Sequence, residues 1–188
     1  MRRLTVFNQI TLDGFFSGPG GDISWGKKNA KDPEWHAFVQ ENAVGGGTLL
    51  FGRKTYEMMA SWWPTAQAAK DDPVVAERMN NLPKVVFSRT LGRAEWNNTT
   101  VVKDDPAAAV RRMKKESGGG LAVLGSGSIV SLLAGEGLID EYQIVVNPVV
   151  IGTGRTLFEG VRGKLDLKHT RTRAFNNGNV LLCYEAGR

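Results

Sequence analysis

Apolar and polar side chains alternate from Arg3 to Ile10, the period of a half-buried strand, and a glycine-rich loop follows from Asp13 to Trp25. That composition suits a mobile loop beside an active site. Asp32-Pro33 then gives a helix its cap and first-turn proline, with Trp35, Phe38 and Val39 on one face and Gly45-Gly46-Gly47 at its end. Residues 48–51 form a short apolar run, followed by helical spacing through Tyr56, Met58 and Met59 that breaks near Trp62-Trp63-Pro64. A second helical stretch runs from Pro73 to Met79, and strands are expected at Lys84-Val85-Val86-Phe87 and at residues 99–102. Asp105-Pro106 opens a helix to Glu116, and Ser117-Gly118-Gly119-Gly120 closes it.

The remaining pattern repeats strand and helix once more, at Leu121 to Leu124 and Ile129 to Leu133, and then changes. Residues 141–151 read as an apolar strand with Pro148 near its end, while residues 165–175 and 179–185 flank Asn176-Asn177-Gly178, a hairpin signal. Alternating elements predict an α/β domain of three layers, with a mostly parallel central sheet, helices on both faces and an antiparallel hairpin at the C-terminus. With no repeat and no linker, residues 1–188 read as one domain, long enough to bury about 70% of the surface of its extended chain.

Composition narrows the functional classes. The formal charge is +5, but the basic residues are dispersed, so nucleic-acid binding is not expected and an anionic small molecule accounts for the balance equally well. Polar residues interrupt the apolar start of the chain, no run reaches membrane-spanning length, and a cytoplasmic protein is expected. Cys183 lies in an apolar strand pattern and reads as a small buried hydrophobe. His36 and His169 lack ligand spacing, and no metal is expected.

Chemistry concentrates at two turns. In Leu49-Leu50-Phe51-Gly52-Arg53-Lys54-Thr55 a strand ends at a glycine and a helix begins with two cations and a hydroxyl. A starting helix leaves N–H groups unpaired and its dipole positive, so an anion placed there gains hydrogen bonds and favourable charge together. Cations at that end cost about 0.3–1 kcal/mol each unless an anion or carboxylate faces them. The run Leu121-Ala122-Val123-Leu124-Gly125-Ser126-Gly127-Ser128-Ile129 repeats the plan, with Ser126 and Ser128 also suited to cap the helix. Two anion-binding turns suggest a dinucleotide.

In order along the chain, Thr11-Leu12-Asp13-Gly14, Ser24-Trp25, Gly52-Arg53-Lys54-Thr55, Phe87-Ser88-Arg89, Gly125-Ser126-Gly127-Ser128 and Asn147-Pro148-Val149-Val150-Ile151-Gly152 resemble the dihydrofolate reductase-like superfamily. The likeness is closest to the reductase domain of the riboflavin-biosynthesis deaminase-reductase and its stand-alone relatives. It implies that fold and an NADPH-dependent oxidoreductase acting on a small nitrogen heterocycle or ribosylamine. It also implies a homodimer; that neither nucleic acid nor membrane is a partner is the expectation from composition above. By the same resemblance, Arg53, Lys54 and Thr55 meet phosphate oxygens, Ser88 and Arg89 lie under the adenosine ribose, and Gly52 and Gly125 to Ile129 complete the cofactor site.

On the substrate side the resemblance makes Asp13 the candidate catalytic acid, although Asp13-Gly14 is also an ordinary turn pair. Trp25 is a candidate platform for a flat ring, with a core position as its other reading. Glu34 falls near the carboxylate that dihydrofolate reductases carry on their first helix and is the candidate second substrate contact, while Asp32 reads as a cap. A dihydrofolate reductase and a non-catalytic regulator that binds the nucleotide stand as alternatives.

Overall fold

The computed structural model describes residues 1–26, 32–43 and 47–187. Gly45 and Gly46, expected to end the first helix, lie outside these residues. Its eight-stranded sheet has the order β5-β4-β3-β6-β1-β7-β10-β9. The strands are β1 (Leu4–Thr11), β3 (Thr48–Gly52), β4 (Lys84–Phe87), β5 (Thr99–Val102), β6 (Leu121–Leu124), β7 (Glu141–Asn147), β9 (Leu167–Ala174) and β10 (Val180–Ala186). The first six in chain order pair in parallel, and β10 and β9 pair antiparallel at one edge, as the alternation predicts.

Helices cover both faces. On one face α5 (Pro106–Lys115) and α6 (Gly127–Gly135) pack over Leu4, Val6, Leu50, Val85, Leu121 and Val123. On the other, α1 (Pro33–Ala43) buries Trp35 and Phe38 against Val145, Phe175, Leu181 and Cys183. Beside it α2 (Arg53–Trp62) and α4 (Pro73–Asn81) bury Tyr56, Val75 and Met79 against Leu49, Phe51, Val86 and Trp96. The expected caps form: Asp32 Oδ1 accepts the Trp35 amide at 2.7 Å, and Asp105 Oδ1 accepts the Ala108 amide at 2.7 Å.

Three details differ from the sequence pattern. A further helix, α3 (Ala66–Asp71), follows Pro64, with Thr65 as its cap. The loop expected to be mobile contains β2 (Phe15–Ser17), which pairs with β8 (Arg155–Thr156) in a separate ribbon. Strand β7 stops at Asn147, before Pro148, because proline has no N–H to continue a ladder.

The sheet order places the site. β6 enters between β3 and β1, so α2 leaves β3 toward one face and α6 leaves β6 toward the other. Such a reversal opens a crevice at the carboxyl ends of the strands. On the α1 and α2 side, two separate core clusters leave Phe7, Ala122 and Leu124 at the centre of the sheet only half-buried. A trough therefore runs between the two helical walls.

Candidate functional site

The crevice and trough form one cleft of about 1520 Å³, larger than the 300–1000 Å³ typical of a single small-ligand pocket. The turns read from the sequence meet in its lining. The Gly52 amide donates to Ser126 Oγ at 2.9 Å, and the Ser126 amide donates to Thr55 Oγ1 at 3.1 Å. Neither helix start is capped by a side chain of its N-cap residue, Gly52 for α2 and Ser126 for α6. Their first amides are thus available to an anion.

Backbone geometry explains the glycines. Gly125 has φ +60°, and a Cβ there would stand 3.2 Å from Thr55 Cγ2; a Cβ on Gly127 would stand 2.4 Å from Phe16 Cζ. Bare backbone at both positions keeps the loop thin enough to lie against α2 and the β2 ribbon. Asn8, buried within β1, donates to the Gly125 carbonyl at 3.2 Å and fixes the loop from below.

The remaining sequence candidates divide. Gly52, Arg53, Lys54, Thr55, Gly125, Ser126, Gly127 and Ser128 line the cleft together with Trp25. Arg53 meets the carboxylate its position calls for, Glu57 one helical turn on at 2.7 Å, and its second nitrogen donates to Thr90 Oγ1 at 2.7 Å. Ser88, Arg89 and Ile129 line a neighbouring hollow of about 210 Å³ with Phe87, Lys103, Asp104 and Pro106. Through Thr90, Arg53 ties α2 to the segment that carries Ser88 and Arg89. Ser126 is buried and spends its hydroxyl between the turns, so its side chain belongs to the scaffold of the cradle.

Asp13 and Glu34 lie elsewhere than expected. Asp13 is not among the cleft-lining residues; its Oδ2 accepts the amides of Ile151 at 3.1 Å and Gly152 at 2.7 Å. The Thr11 hydroxyl, with those two amides, holds its carboxyl below the usual aspartate value. Through Oδ2 this carboxylate clamps the loop after β7, while its Oδ1 is buried with no hydrogen-bond partner. Glu34 accepts the Asn176 amide at 2.9 Å and pairs with Arg173 at 3.5 Å, joining α1 to the β9–β10 turn and away from the cleft.

Asn8, Phe16, Gln143, Thr153, Lys103 and Arg155 belong to the two hollows and were not picked out from the sequence. A buried amide inside an apolar strand was the available signal for Asn8. For Arg155, which lies 5.7 Å from the Phe16 ring centre, there was none, because the contact depends on the β2–β8 ribbon. Among the described residues, no group of three or more His, Cys, Asp or Glu side chains could hold a metal ion.

Residues 2–181 match the RibD C-terminal domain. The chain belongs to that family, whose members are typically reductases. It is 29% identical over 183 residues to the uncharacterized protein YyaP of Bacillus subtilis (strain 168), covering 97% of this chain and 94% of that one. Two solved structures share the fold. A candidate riboflavin biosynthesis protein from Shewanella sp. PV-4 has a TM-score of 0.73 at 19% identity, covering 99% of each chain. A pyrimidine reductase-like protein from Corynebacterium diphtheriae has a TM-score of 0.64 at 12% identity, covering 100% of this chain and 92% of that one.

Proposed function

We propose that this protein is an NADPH-dependent reductase of a small nitrogen heterocycle, of the kind that the names of its structural neighbours suggest. The observation that carries the reading is the hydrogen-bonded meeting of the α2 and α6 starts at one end of a cleft with room for a second molecule. The family match supports reduction as the chemistry.

The residues fit the cofactor's chemical groups. Gly127 and Ser128 offer main-chain amides to a diphosphate, Arg53 and Lys54 add positive charge, and Thr55 keeps a hydroxyl proton to give. Arg89 and Lys103 bring cations to the adjoining hollow, where a 2′-phosphate would distinguish NADPH from NADH. When bound, NADPH supplies the hydride. The protein's own contribution is orientation and the exclusion of water, for which Phe7, Phe16 and Trp25 provide apolar wall beside the cradle.

Calorimetric titration with NADPH and NADH tests the reading. Wild-type protein is expected to prefer NADPH, and Arg53→Ala to weaken NADPH binding about tenfold or more, the worth of hydrogen bonds to a charged group. Equal affinity for both nucleotides in both proteins overturns it.

A further inference from the structure

Helices cover both faces of a parallel sheet because an apolar face left in water forfeits the gain of burial. Here the cover is split. Helix α1 packs on β7 and β10, while α2 and α4 pack on β3 and β4, so the face of β1 and β6 between them keeps Phe7, Ala122 and Leu124 only half-buried. Phe7 pairs with Leu124 and Thr5 pairs with Ala122. Two residues separate the pairs, which makes the floor of the trough about 7 Å long between them.

The walls beside that floor are apolar and adaptable. Val39 and Ala43 line it from α1, Met59 and Trp63 from the end of α2, and Met79 from α4. Thioether side chains reshape around a guest at low cost. The walls are also braced against one another: His36 Nε2 lies 2.9 Å from Asp72 Oδ2, and Gln40 Nε2 donates to Asp72 Oδ1 at 3.2 Å, which ties α1 to the cap of α4. Asn80 Nδ2 donates to the Trp63 carbonyl at 2.9 Å and ties α4 to α2. A braced trough is preformed, and a guest does not bear the cost of opening it. One end of it joins the cradle, since Leu124 precedes Gly125 and Asn8, next to Phe7, holds the Gly125 carbonyl. The other end turns polar, with Arg3, Asn42, Arg78 and Gln143 in the lining.

We infer that the reducible ring carries an apolar substituent, an alkyl or aryl group, which lies along this floor from Phe7 to Ala122. The inference rests on the reductase reading above and narrows its substrate. Continuity of the trough with the cradle decides the occupant. A ring set beside the cradle meets Phe7, and a group projecting from it toward Ala122 enters the trough between Val39 and Met59. Each methylene that leaves water there raises affinity by up to about fourfold. A polar chain of the same length gains less, because its hydroxyls give up water against apolar side chains.

The experiment uses isoalloxazines that carry methyl, butyl or hexyl on the nitrogen that bears the ribityl chain in riboflavin, with riboflavin itself as the polar counterpart. Binding is followed by quenching of flavin fluorescence without NADPH, so the outcome does not depend on the cofactor. Affinity is expected to rise at least about tenfold from methyl to hexyl, with riboflavin close to the methyl compound. Ala122→Leu fills the floor and Ala43→Leu narrows the trough from α1. In either variant, with cooperative melting verified by circular dichroism, the advantage of hexyl over methyl is expected to disappear. Affinity that stays flat along the wild-type series overturns the inference, as does riboflavin binding as tightly as the hexyl compound. Absence of hexyl binding, or a hexyl advantage that persists in both folded variants, overturns it too. NADPH oxidation with each compound is measured on the same preparations. If none is reduced while the series and the variants behave as expected, the subsite stands and the reductase reading fails instead.

Discussion

Lys84 is 1% exposed, yet its ammonium is fully engaged, donating to the carbonyls of Met79 at 2.8 Å, Asn80 at 3.1 Å and Leu82 at 2.7 Å. Those oxygens end α4, where a helix has no amides of its own left to offer and its dipole is negative. The ammonium also lies 4.6 Å from the centre of the Trp96 ring. Lys84→Met leaves buried carbonyls unpaired and is expected to cost about 2–3 kcal/mol in urea or thermal unfolding. Burial also pushes the Lys84 pKa down to about 8 from 10.5. Between those values the unfolded chain holds a proton that the folded protein has shed, so this contribution to stability is complete above the unfolded value and is lost as pH falls through about 8. The stability difference between wild type and Lys84→Met should therefore change across that window, and a pH-independent difference would refute the assignment. Nothing in Pro83-Lys84-Val85 announces this lysine as a helix terminator, just as nothing near Asp13 names its partners at Ile151 and Gly152. Local sequence shows which groups need partners; partners distant along the chain come from the fold.

Elements whose signals are local were legible for that reason. Asp32 and Asp105 cap the helices they precede, and β4 and β5 coincide with short runs rich in β-branched residues. Short elements were not. The three residues of β2 and the two of β8 are too few to show a period, and they pair across the chain only because the loop after β7 folds back. That ribbon carries Phe16 onto Gly127 at the start of α6, which gives the contact a test. Gly127→Ala must displace the Phe16 ring or the helix start and is expected to lower the melting temperature and weaken NADPH binding. In a Phe16→Ala background the added methyl finds space, so the two substitutions should be non-additive, with a coupling of about 0.5–3 kcal/mol in a double-mutant cycle. Strict additivity would mean that the ribbon does not press on the cradle.

Because β6 enters between β3 and β1, the cradle joins parts of the chain far apart in sequence, and sheet order of that kind is invisible to periodicity. The strand-to-helix turns at Gly52 and Gly125 were legible in the sequence, but their convergence depends on that insertion. Helices α2 and α6 lie on opposite faces of the sheet, and the direct hydrogen bonds between their starts are Gly52 to Ser126 and Ser126 to Thr55. A diphosphate held by both starts would add bonds that exist only in the folded arrangement, and binding to the folded state alone stabilises by mass action. At a free concentration 100 times the dissociation constant the gain is about 2.7 kcal/mol, which for a domain of this size raises the melting temperature by about 5–11 °C. NADPH should produce that rise as a single cooperative transition, since the ligand bridges both layers. NADH at the same concentration should produce a smaller one, and Arg53→Ala should bring the two nucleotides together. A ligand gripped by α2 alone predicts a different outcome, because Ser126→Ala would then leave the NADPH-induced rise unchanged. Loss of part of that rise in Ser126→Ala, with the unliganded protein still folding cooperatively, is the result expected of a cradle that needs both turns held together.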